Sequence, residues 1–116
     1  MQYSPWGKIQ DKTKLFKGVY LVETPGHGGL KISRSYAINT IDYNVVSLMG
    51  VYYGGYYWFE EDCAIFGPIL SNEKIREAYA NKIGINEITL RIQAKKSLEL
   101  YFPSILKNYF EHFPNF

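Results

Sequence analysis

The segment Val51-Tyr52-Tyr53-Gly54-Gly55-Tyr56-Tyr57-Trp58-Phe59 constrains the fold most. Aromatic and β-branched side chains favour an extended backbone, and they flank two consecutive glycines. That pattern reads as a β-hairpin with a Gly-Gly turn, or as a strand interrupted by a bulge. An extended strand projects side chains to both sides, so tyrosines at consecutive positions cannot all face one core. The segment is therefore both a sheet element and a candidate recognition surface.

The rest of the chain supplies the partners such a sheet needs. Eight of the ten glycines precede residue 60, and longer helical periodicities follow it. This segregation predicts an α+β fold: a small antiparallel sheet from the N-terminal half packed by helices from the C-terminal half. A chain of 116 residues forms one domain, 1–116, and can bury a core without disulfides or metal. Gly18 to Thr24 reads as a strand, Pro25 to Gly29 as a turn and Leu30 to Ser33 as the returning strand. Ser33 can cap a short helical turn through Ser35 to Ile38. Asn39 to Asn44 reads as irregular, and Val45 to Leu48 as a strand or part of a loop.

Glu60-Glu61-Asp62 places three carboxylates where a helix is expected to begin, suited to the positive end of its dipole. Pro68 is expected to end or kink that helix. Ser71 to Lys82 has helical spacing at Ile75, Ala78, Tyr79 and Ile83, with Gly84 as its stop. Asn86 to Phe102 carries both strand and helix signals. Helix is preferred, because Asn86 can cap it and residues 94–100 are good helix formers. Pro103 suits the first turn of a last helix with Ile105, Leu106, Tyr109, Phe110 and Phe113 on one face.

Composition narrows the function classes. The 11 Tyr, 7 Phe and 2 Trp exclude an aromatic-poor disordered tail. A net charge of +2 excludes a strongly acidic nucleic-acid mimic and lends little to a dedicated nucleic-acid binder. Lys8, Lys12, Lys14 and Lys17 near Tyr3, Trp6 and Phe16 read as a solvated face. A single cysteine, Cys63, rules out an internal disulfide and fits a reducing compartment. No h-region precedes Asp11, and the longest apolar run, Ala64 to Leu70, falls far short of the ~20 residues that span a bilayer. A cytoplasmic protein without membrane contact is expected. Two histidines and one cysteine make no zinc signature, and no cofactor fingerprint is present.

Two constellations can carry chemistry. Thr24-Pro25-Gly26-His27-Gly28-Gly29 would expose backbone N–H groups and let a ligand approach closely, with His27 as base, metal ligand or hydrogen-bond donor, although from the residues alone a tight hairpin turn with an exposed histidine is favoured. Trp58-Phe59-Glu60-Glu61-Asp62-Cys63 offers carboxylates for acid–base work or as oxygen ligands for a hard metal, against the plain reading of a solvated helix start. On a helix these would diverge by about 100° per residue, so all three cannot converge. Glu60 and Cys63 would then share a face. Cys63 beside His27 would be a nucleophile, but three adjacent acids oppose a thiolate, and a small buried residue is the favoured reading. His112 reads as a surface residue near a helix C-terminus.

These motifs, with Trp6-Gly7, Gly18 to Val22, Lys31 and Ser33, resemble a domain of unknown function carried by phages and plasmids. Its pattern is T-P-G/S-H-G-G, a hydrophobic-Lys-hydrophobic-Ser strand and W-Y-E-E-D. Phe59 stands where that pattern usually has Tyr. Ser97-Leu98 and Phe102-Pro103 resemble its C-terminal part more weakly. The domain occurs alone or inside larger mobile-element proteins, some of antirestriction type. The resemblance implies that the two motifs meet in space. Either His27 and Glu60 to Asp62 line a concave site, or His27 staples the hairpin to the first long helix through a carboxylate.

The leading expectation is a phage or mobile-element accessory protein, with a possible counter-defence role, that binds a host defence protein or a small nucleotide-like ligand. Its ligand-binding residues would be Thr24, Gly26, His27, Gly28, Gly29, Lys31, Tyr56, Trp58 and Glu61. The runner-up is a hydrolase or nucleotide-modifying enzyme using His27 with Glu60, Glu61 or Asp62, and the balance leans away from catalysis. A third reading is self-association into a homo-oligomer through aromatic surface.

Overall fold

The computed structural model describes residues 3–112, with side chains through residue 107. The aromatic run is a hairpin: β6 (Val51–Tyr53) turns through Gly54-Gly55 into β7 (Tyr56–Glu60). Both glycines have positive φ, 63° and 86°, as a two-residue turn matching the strand twist requires.

Three earlier strands complete a five-stranded antiparallel sheet. β3 (Asp11–Phe16), β4 (Val19–Glu23) and β5 (Gly28–Ser33) follow a two-stranded hairpin of β1 (Tyr3–Ser4) and β2 (Gly7–Lys8). The sheet order is β3-β4-β5-β7-β6. β5 is central and β6 is an edge. Helices α1 (Arg34–Thr40) and α2 (Tyr43–Met49) lie between β5 and β6 in sequence. The C-terminal half is helical: α3 (Phe66–Ser71), α4 (Glu73–Ile83), α5 (Glu87–Tyr101) and α6 (Pro103–His112). The α+β expectation holds.

Alternation assigns the two sheet faces. Val19, Leu30, Ile32 and Phe59 are fully buried within the helix-packed core, joined by Leu21 and Tyr57. Register places Tyr20, Lys31 and Trp58 opposite one another in a row on the other face. There Trp6, between β1 and β2, meets Trp58 edge-on, with centroids 5.8 Å apart. A Cβ on Gly29 would strike the Phe59 carbonyl and come within 2.8 Å of the Trp6 ring. Gly29 thus lets Trp6 lie close against the sheet.

Several local expectations change. Val45 to Leu48 is helical, within α2, because the Asp42 side chain accepts from the Asn44 and Val45 N–H groups and caps it. Glu60 to Asp62 do not begin a helix: Glu60 closes β7, and Glu61 and Asp62 lie in the following turn. Pro68 neither ends nor kinks α3. It occupies the first turn, where its missing N–H would have no intrahelical partner. The capping of α1 by Ser33 and of α5 by Asn86 agrees with the sequence reading. The expectations for Tyr109, Phe110, Phe113 and the His112 side chain fall outside the described side chains.

Candidate functional site

Thr24 builds the loop that carries His27. Its hydroxyl donates to the His27 carbonyl at 2.8 Å and accepts from the His27 N–H at 3.2 Å. Its own N–H also donates to that carbonyl. Thr24 is buried and Gly26 is exposed. These two residues therefore shape the turn that presents the imidazole.

His27 Nδ1 lies 2.9 Å from Glu60 Oε2. The two motifs do meet, at one end of the sheet. The imidazole is 51% exposed and the carboxylate 35%, so the pair lies at the surface. A carboxylate accepting from Nδ1–H fixes the imidazole tautomer and leaves Nε2 to act as a base.

The other acids do not join them. Glu61 follows Glu60 by one residue and leaves on the opposite side, against Gly28. Its N–H donates to the Gly28 carbonyl at 2.9 Å. Its carboxylate also acts on Tyr79 of α4, whose phenol is pushed above its ordinary pKa by burial first and by Glu61 second. Asp62 is exposed in the turn. Cys63 is half-buried with a free thiol. Because the backbone here is strand and then turn, Glu60 and Cys63 do not share a helical face. Among the described residues no cluster of three His, Cys, Asp or Glu side chains could hold a metal ion.

The middle of the same face holds Lys31, 2% exposed. Its ammonium lies 4.1 Å from the Tyr56 ring centroid, 5.4 Å from Trp58 and 5.5 Å from Tyr20. Burial first, then repulsion from Lys12, pulls its pKa below the ordinary lysine value. Among the described residues no carboxylate pairs with it. Trp58 donates its indole N–H to the Tyr53 carbonyl at 2.8 Å, which ties the ring to the hairpin. Lys31, Tyr56 and Trp58 thus form one group, while Glu61 and Gly28 belong to the helix side.

The chain matches a family model, a domain of unknown function (DUF7007), over residues 1–113. It belongs to the DUF7007 family. No curated protein and no solved structure matches it. The DUF7007 match spans the sheet, the His27–Glu60 pair and the lysine cage, so these features lie within one family domain. Among the described residues no helix of this DUF7007 domain is long and apolar enough to cross a membrane.

A surface that no sequence motif marked lies beside the hairpin. Tyr43 is 80% exposed and Leu48 65%. A groove of about 220 Å³ is lined by Ile38, Ile41, Tyr43, Val46, Ser47 and Tyr57. Tyr52 packs on Tyr57, with centroids 5.1 Å apart, so groove and hairpin form one continuous uncharged surface. The sequence signal missed was the capping Asp42, which starts the helix that presents Tyr43 and Ser47 to the groove.

Proposed function

We propose that this domain acts by binding a protein of the cell that a phage or other mobile element enters, in a counter-defence role. The observation that carries this reading is the uncharged aromatic surface running from Tyr43 through Tyr57 to Tyr52 beside the edge strand β6. Val51, Tyr52 and Tyr53 are all exposed on that edge. An exposed strand edge offers main-chain partners to an extended segment, and neighbouring tyrosines give contact area with polar tips. The mobile-element context rests on the resemblance of the T-P-G-H-G-G and W-F-E-E-D motifs to the phage and plasmid domain.

The test is a photo-crosslinking residue placed at Tyr52 in cells that make the protein, followed by titration of the purified partner. Tyr43→Ala and Tyr52→Ala, both at exposed positions of that surface, should each weaken binding by about tenfold or more without changing the fold. Crosslinks only between copies of this chain would transfer the surface to self-association, and no crosslink would remove the reading.

The His27–Glu60 distance of 2.9 Å favours a second reading, a hydrolase or nucleotide-modifying enzyme. In that case phosphodiester or nucleotide probes are turned over by the wild type and not by an equally stable His27→Ala variant. A wild-type protein inert toward those probes leaves the pair a surface contact.

A further inference from the structure

At the opposite end of β5 from His27, a cleft of about 560 Å³ opens between the start of β4 and α1. Its walls include Lys17, Tyr20, Ser35, Tyr36, Asn39 and Thr40. A volume of this size accommodates a nucleotide-sized molecule. Its lining pairs aromatic surface with hydroxyls, an amide and an ammonium, and no carboxylate lines it.

Two observations indicate the kind of ligand. The first is charge. Lys17 lines the cleft, and the ammonium groups of Lys12 and Lys31 lie 5.1 Å and 5.5 Å from the centroid of the Tyr20 ring that forms one wall. Of these three cations Lys17 is the one that lines the cleft, and with no acidic lining residue to offset it the cleft favours an anion. The second is preorganisation. Asn72, buried beneath α1, donates to Tyr36 Oη and to Thr40 Oγ1, both at 3.2 Å. Its Oδ1 accepts the Ile75 N–H, so the amide is held in place by the cap of α4. Thr40 in turn donates to the Tyr36 carbonyl at 2.6 Å. The Tyr36 hydroxyl therefore accepts from Asn72 and keeps its own proton to donate. Asn39 donates its amide to the Ser35 carbonyl at 2.8 Å, which leaves its side-chain oxygen as an acceptor.

We propose that this cleft binds a nucleoside phosphate. The base lies against the tyrosine wall, Lys17 takes the phosphate, and Ser35, Tyr36 and Asn39 hydrogen-bond the sugar and phosphate. The site is separate from the His27–Glu60 pair and from the protein-docking surface, so it stands whether or not either of those readings holds.

The test records amide NMR spectra of the full chain during titration with the four ribonucleoside 5′-monophosphates, the matching nucleosides and inorganic phosphate. A nucleotide should move the amides of Gly18, Ser35, Asn39 and Thr40, and bind more tightly than its nucleoside or phosphate alone. Lys17→Ala and Asn39→Ala, both at exposed positions, should each weaken it by about tenfold or more, while His27→Ala leaves it unchanged. Equal binding by inorganic phosphate would reduce the cleft to a nonspecific anion site and overturn the proposal. So would shifts centred on His27, or no shifts at the four amides.

Discussion

Lys31 occupies the middle of a central strand between Leu30 and Ile32, yet its ammonium is enclosed by the rings of Tyr20, Tyr56 and Trp58. The ring faces attract the cation, each by about 0.5–2 kcal/mol, while burial and Lys12 oppose the charge. Burial strips the ammonium of water, and among the described residues no carboxylate offsets that loss. Lys31→Met, close in volume, should therefore raise stability by about 1 kcal/mol or more, read as the urea midpoint. A lower midpoint would show that the rings dominate. His27 behaves differently, because an ion pair this exposed contributes little. His27→Ala should change unfolding free energy by less than about 1 kcal/mol, and a larger loss would make the pair a structural staple. The meeting of the two motifs was implied by the resemblance, though not which of Glu60, Glu61 and Asp62 would face His27. The burial of Lys31 was not legible, because a lysine in an alternating strand reads as solvent-facing. Only the register reveals aromatic rings on both neighbouring strands.

At the scale of elements, the sequence misled where two patterns competed. The three acids read as a helix start on dipole grounds, but the aromatic strand before them runs on through Glu60 and the helix waits until Phe66. That one shift decides the site, because Glu60 closes the strand beside His27 while Glu61, in the turn, lies against Gly28. Val45 and Val46 suggested a strand by propensity, and the Asp42 cap overrode it. Lys12, Thr13, Lys14 and Leu15 carry a period-two signal, but the lysines read only as a solvated face and not as strand β3. The helices were more legible, since the caps at Asn86 and Gly84 are local. What the helices could not announce is how they are tied together. Arg76 of α4, 3% exposed, donates to the Ile69 and Leu70 carbonyls and to Glu87 of α5. Arg91 also donates to Glu87, at 2.9 Å. The hydrogen bond from Arg76, then that from Arg91 and their charges, outweigh burial and hold the Glu87 carboxyl below its ordinary pKa. A lowered folded-state pKa gives stability that is present above the ordinary carboxylate range. That stability is lost as the pH falls through the folded value. Glu87→Ala should cost about 3 kcal/mol at neutral pH, because it strips a partner from a buried arginine. The gap between variant and wild type should close in acid, as followed by urea unfolding across pH. A gap that stays constant with pH would refute the ionic origin.

The whole molecule is a sheet with unequal faces. One face carries the helices and the main core. The other is covered in part by the small β1–β2 hairpin through Trp6, over Gly29 and against Trp58, which is 1% exposed. This arrangement separates the surfaces on which functions are proposed. The His27–Glu60 pair, the lysine cage and the cleft proposed for a nucleotide lie along β5, while the surface proposed for protein docking lies at the β6 edge and α2. It also makes the hairpin cover separable from the helical core. In Trp6→Ala, Trp58 is the remaining tryptophan and loses its edge-on partner. Its fluorescence should move to longer wavelength, and stability should fall by about 1 kcal/mol or more. The far-UV circular dichroism should keep its helical signal, because no helix depends on Trp6 for its packing face. Trp6→Phe keeps a ring over Gly29 and should leave Trp58 emission close to that of a shielded indole. If Trp6→Ala leaves both emission and stability unchanged, the hairpin does not shield the sheet in solution.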